Sequence, residues 1–137
     1  MKKAILDTRF FFALHDPSSQ AQLKWCTSIV LESNRSSSSV YAASCISITE
    51  LYENMGRVVG RDAVRLRIAS ARNSGIEFIP VDEEISEIAG GLKLNSGEIP
   101  MSDAIIASTA RVFSGGRLFT DDEHFKSIKN IRTSWVQ

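Results

Sequence analysis

Residues 99–112 read IPMSDAIIASTARV. Pro100 and Ser102 supply helix-start chemistry, residues 104–107 are apolar without a break, and Ala110, Val112 and Phe113 continue the run. A helix with so little polar surface is expected to be buried. Asp103 stands at its mouth, and the next charge is Arg111. A carboxylate in that position is costly unless positive charge meets it. One reading is an ordinary first-turn acid that complements the helix dipole and caps free N–H groups. The other is a metal ligand, which requires further carboxylates to arrive at the same place.

Outward from this stretch, short apolar runs alternate with helical patterns. Residues 3–6 form a run ending on Asp7, a buried first strand, and residues 8–14 (TRFFFAL) a short helix. Pro17-Ser-Ser opens a second helix, and the serine-rich residues 34–39 read as a solvated loop. Residues 40–46 (VYAASCI) are a second strand, followed by a helix from Ser47 towards Gly56 and Gly60 and another over 61–73, closed by Gly75. Residues 76–81 (IEFIPV) predict a third strand and 82–94 a helix, broken by Asn95-Ser-Gly97 ahead of the 99–112 helix. Then come Gly115-Gly116, a fourth strand at 117–120, a short helix at 121–128 and a last strand at 131–136. With no tight hairpin signals, this alternation predicts an α/β sandwich around a mostly parallel sheet.

The totals bound the function. At 137 residues, 43% hydrophobic and 23% charged, the chain is expected to form one domain over 1–137 with a core of its own. A formal net charge of zero argues against binding nucleic acid by bulk charge, though not against a local basic face. Cys26 and Cys45 fit no metal-ligand spacing and read as buried thiols in a reducing compartment. No apolar run approaches a membrane span, and Met1-Lys-Lys leads directly into a strand. The expectation is no signal peptide, no membrane and a cytoplasmic location.

In a parallel sheet the carboxyl ends of the strands share one edge, where ligands bind. Asp7 ends the first strand, Glu50 follows the second, Asp122 follows the fourth, and Asp103 opens the central helix. Four acids distant in sequence are thus expected at one edge. Crowded carboxylates repel one another unless protons or cations intervene, and Mg²⁺ or Mn²⁺ with oxygen ligands is the natural remedy. Such clusters serve metal-assisted phosphodiester hydrolysis. Capping accounts for each acid singly: Ser47-x-x-Glu50 and Thr120-x-x-Glu123 match capping boxes, and Asp7 suits an N-cap. One carboxylate has lone pairs enough to cap and to ligate.

The segments AILDT (4–8), SITELYE (47–53), PMSDAIIASTA (100–110) and LFTDDEHF (118–125) occur in an order and spacing that resembles the PIN-domain family of metal-dependent ribonucleases, in particular the VapC-like toxins of VapBC toxin–antitoxin pairs. The resemblance implies a three-layer α/β/α fold with a central sheet of four to five strands and an acidic pocket for Mg²⁺ or Mn²⁺. Asp7, Glu50, Asp103 and Asp122 match the family's acidic quartet, and Thr120 its supporting hydroxyl. Asp121 becomes a supporting residue, as does Thr8. The implied activity is endonucleolytic cleavage of single-stranded RNA, with Asp7, Asp103 and Glu50 holding the principal metal. A homodimer and a cognate antitoxin are the implied partners.

Neither histidine is needed by this reading, and His15 and His124 read as surface or packing residues. Arg57, Arg61 and Arg65 recur every fourth residue and would form an RNA-contacting strip if one helix ran through Gly60. A phosphatase or phospho-receiver is disfavoured, because Asp7-Thr-Arg9 lacks a second acid and no strand ends in a suitably placed lysine. A non-toxin RNA-processing nuclease shares the same pocket. A non-catalytic RNA- or protein-binding module is the other alternative, but a scaffold has no need to keep mutually repelling charges together.

Overall fold

The computed structural model describes residues 2–136; Met1 and Gln137, the two ends of the expected 1–137 span, lie outside the described residues. Five short strands, β1 (Ala4–Leu6), β2 (Tyr41–Ser44), β3 (Glu77–Ile79), β4 (Arg117–Phe119) and β5 (Arg132–Ser134), form one sheet in the order β3-β2-β1-β4-β5. Every pairing is parallel, so the expected mostly parallel sheet is wholly so. The order follows composition. The all-apolar β1 takes the centre, while Glu77 and Arg132 lie on the edge strands β3 and β5, where one side meets solvent.

Strand alternation feeds two cores. Ala4, Leu6, Tyr41, Ala43 and Phe119 join one apolar cluster, and Ile5, Ala42 and Leu118 join another on the opposite face. The first is covered by α1 (Thr8–His15), α2 (Gln20–Arg35), α3 (Ile46–Asn54) and α5 (Arg61–Asn73), the second by α6 (Glu83–Asn95) and α7 (Met101–Ser114). This is the three-layer α/β/α arrangement. The three consecutive phenylalanines belong to it: Phe10 and Phe11 are buried, and Phe10 meets Trp25 edge-on at 5.9 Å.

Local chemistry corrects several expectations. The helix after Ser47 does not run through Gly60, whose φ of +88° ends a short α4 (Gly56–Val59) and begins α5. The one continuous helix that would align Arg57 with Arg61 and Arg65 therefore does not form. The expected helix at 121–128 is a 3-10 turn, Glu123–Ser127. α7 is buried from Asp103 to Ala110 apart from half-buried Ile105, but Val112 is exposed. Cys45 is only half-buried, whereas Cys26 is buried and its thiol is pushed up to about 11 by desolvation. Gly116 is required by space: at φ +92°, a Cβ there would lie 1.9 Å from the Asn130 carbonyl oxygen. Its own carbonyl accepts the Arg132 N–H at 2.8 Å, which ties β5 to the sheet.

Candidate metal centre

β1 has β2 on one side and β4 on the other, so the strand order turns at its carboxyl end, where a crevice opens in sheets of this kind. Asp7 lies there and caps α1. Its Oδ1 accepts the Thr8 N–H at 2.8 Å, and its Oδ2 accepts the Thr120 hydroxyl at 2.6 Å. Only 3% of Asp7 is exposed, and burial pushes its carboxyl up to about 7. The Thr120 bond opposes that rise, the charge of Asp103 adds to it, the Thr8 amide opposes it, and the charge of Glu50 adds again.

Glu50 comes from the middle of α3. Its Oε1 accepts the Thr8 hydroxyl at 2.6 Å, and Ser47 Oγ lies 2.8 Å from that same hydroxyl. Thr8 has one proton and gives it to Glu50, so Ser47 is the donor to Thr8. The expected capping box at Ser47 is not formed, because the serine is spent on this contact 39 residues away. Thr120 is likewise no helix cap: its Oγ1 donates to Asp7 and accepts the Asp122 N–H at 3.0 Å.

Asp122 caps the 3-10 turn through a 3.0 Å bond from the His124 N–H, which folds His124 back over the site. There His124 Nδ1 stands 3.2 Å from Asp122 Oδ1 and 3.2 Å from Asp103 Oδ2. Asp103, in the first turn of α7, has its carboxyl pushed up to about 6 by burial and by the charge of Asp122, with His124 opposing and Glu50 adding. The charges of Asp103 and Glu50 thus add to the rise at Asp7, those of Asp122 and Glu50 add to the rise at Asp103, and the four acids are joined through Thr8, Thr120 and His124. Asp121 points elsewhere, pairing with Arg9 at the rim.

The donor set suits a divalent cation. Asp103, Asp122 and His124 each offer a ligand atom, all within 4.8 Å of one another. Buried Asp7 has no cation as hydrogen-bond partner, only a hydroxyl and an amide. Oxygen-rich sites with one imidazole hold hard or borderline divalent ions. The sequence reading gives His124 a surface or packing role and Ser47 a capping role, and it assigns Arg9 none. The available signal for His124 was its place two residues beyond Asp122, where an N-cap turn returns the side chain towards the cap. The three arginines of the expected strip are exposed but divided, Arg57 on α4 and Arg61 and Arg65 on α5. A groove of about 650 Å³, lined by Arg9, Phe12, His15, Val58, Asp121 and Trp135 among others, runs beside the centre and includes none of the four acids.

Fold and site together define a parallel α/β protein with a carboxylate pocket at the turning point of its sheet. The chain belongs to the PIN domain family, whose sequence pattern matches residues 4–131. No curated protein sequence matches it. Among solved structures, it is similar to VapBC2 from Rickettsia felis bound to a DNA fragment from their promoter, with 17% identity, 98% of each chain covered and a TM-score of 0.72. Mycobacterium tuberculosis VapC20, a Sarcin-Ricin loop cleaving toxin, has a TM-score of 0.69 at 17% identity, covering 94% of this chain and 97% of that one. A toxin–antitoxin complex from Klebsiella pneumoniae has a TM-score of 0.65 at 20% identity, covering 96% and 97%. At identities of 17% to 20%, these likenesses are ones of fold. No helix among the described residues is long and apolar enough to cross a membrane.

Proposed function

We propose that this chain is a Mg²⁺- or Mn²⁺-dependent endoribonuclease that cleaves single-stranded RNA, and that it is the toxin of a type II toxin–antitoxin pair. The observation that carries the reading is the gathering of donors at one edge of the sheet: Asp103, Asp122 and His124 offer ligand atoms within 4.8 Å of one another, and burial with neighbouring negative charge raises Asp7 and Asp103 beside them. A divalent cation there would offset the repulsion among these carboxylates. Fold neighbours that are a toxin and a toxin–antitoxin complex support the biological role and a cognate antitoxin; a cytoplasmic setting is proposed with them. A homodimer belongs to the same proposal.

In this reading Asp7, Glu50 and Asp103 hold the ion and Asp122 completes the pocket. A divalent ion bound there supplies Lewis acidity and neutralises charge on the phosphodiester. Thr120 fixes the Asp7 carboxylate and Asp122 with a single hydroxyl, and Thr8 fixes Glu50, so ligand positions are set before RNA arrives. Arg61 and Arg65, with Arg57 apart on α4, are assigned to the RNA backbone. Asp121 holds Arg9 at the rim, where its charge lies near Asp122 and Asp7.

The test incubates purified protein with single-stranded RNA in Mn²⁺ or in EDTA, beside Asp7→Asn. Cutting that needs metal and vanishes in the variant supports the proposal. Binding without cutting by the wild type points instead to a non-catalytic module.

A further inference from the structure

We propose that His124 is itself a ligand of the metal and that its imidazole makes the pocket discriminate against Mg²⁺ in favour of Mn²⁺. This rests on the metal-nuclease reading above, and deepens it. The resemblance to metal-dependent ribonucleases implies an all-carboxylate set, and it leaves His124 without a task. The geometry gives it one.

His124 Nδ1 lies 3.2 Å from an oxygen of Asp103 and 3.2 Å from an oxygen of Asp122, two carboxylates brought in by different elements. In an octahedral shell with bonds of about 2.1 Å, neighbouring ligand atoms are about 3 Å apart. The imidazole nitrogen is therefore spaced from both oxygens as an adjacent ligand would be. Its position is set by the backbone: the His124 N–H is held by Asp122, and the next residue, Phe125, is fully buried in the core. The ring itself is 60% exposed, so an ion arriving from solvent meets it.

Chemistry then sets the preference. Mg²⁺ demands oxygen ligands and gives up water reluctantly, whereas nitrogen donors are accepted increasingly along the transition series that begins at Mn²⁺. One imidazole in an otherwise oxygen shell shifts the balance towards Mn²⁺. His15 lines the neighbouring groove, which includes none of the four acids, and that makes it the internal control.

The experiment is electron paramagnetic resonance of Mn²⁺ added to the full chain, with spin-echo modulation used to detect directly bonded nitrogen. Wild type, His124→Gln, His124→Asn and His15→Gln are compared, and circular dichroism checks that each is folded. Nitrogen modulation is expected in the wild type and in His15→Gln, and is expected to vanish in both His124 variants. The ratio of Mn²⁺ to Mg²⁺ affinity, from competition titrations, should fall about tenfold with His124. Mn²⁺ bound without nitrogen modulation in the wild type, or modulation surviving in the His124 variants, overturns the inference while leaving the carboxylate site intact. Failure of the wild type to bind Mn²⁺ at all overturns the metal-nuclease reading as well.

Discussion

The two ends of one short segment, residues 4–8, are equally buried and chemically opposite. Ala4, Ile5 and Leu6 have no exposed surface, and Asp7 and Thr8 have only 3% each. Burial of the first three removes apolar area from water and stabilises the fold. Burial of Asp7 disfavours its charge and costs stability whenever the pH requires that charge. The fold tolerates the second because it has so much of the first, and the site is where that tolerance is used.

The sharpest way to break this comparison is substitution on each side of it. Asp7→Asn and Asp103→Asn should each lower RNA cleavage by more than about 100-fold, the upper range for residues that only support ligands. Both should fold, since asparagine keeps the size and can still cap. Cleavage assays with thermal melts check this; a Mn²⁺-loaded Asp103→Asn variant with wild-type activity would remove its assigned role. Leu6→Ala, one residue away, should do the reverse. It should cost about 2–5 kcal/mol of stability by denaturant unfolding, with no specific effect on metal affinity in what remains folded.

Acidity sharpens the contrast next. In the unfolded chain aspartates titrate near 3.9, whereas Asp7 and Asp103 in the fold are pushed up to about 7 and about 6. Between those limits the native state binds more protons, so metal-free stability falls as pH rises from about 4 to about 7. In EDTA the unfolding free energy should therefore be lower at pH 8 than at pH 5 by on the order of a few kcal/mol, with a correspondingly lower melting temperature. Mn²⁺ should remove much of that decline, and Asp7→Asn should reduce it to the share that Asp103 contributes.

Two smaller effects probe the supports. Thr120→Val leaves an Asp7 oxygen and the Asp122 N–H without their partner, and should weaken Mn²⁺ binding or cleavage by about 10-fold to 100-fold while the protein stays folded. Arg61→Ala should reduce the salt dependence of RNA binding by less than about one unit of log–log slope, as loss of one phosphate contact on a single strand does. No salt effect would mark Arg61 as merely solvated.

The parts of the molecule that were legible are those written in composition. Apolar runs that stop at an acid, as at Asp7, located the buried strands and the edge at which ligands gather. What was not legible depended on contacts between distant segments. Ser47-x-x-Glu50 has the local signature of a capping box, yet the serine bonds to Thr8, which no local pattern announces. His124 looked like a surface residue because it is one by exposure; only the tight turn capped by Asp122 brings its Nδ1 to Asp103. The arginine strip depended on whether Gly60 would continue a helix, and its positive φ settles that at the backbone level.

Crystals grown at pH 8 and soaked in millimolar Mn²⁺, measured for anomalous scattering, address the shared-cation claim at its root. A manganese peak is expected in the hollow between Asp7, Glu50, Asp103 and Asp122, within bonding distance of at least two of them. No peak there, or one only at distant surface carboxylates, would contradict it.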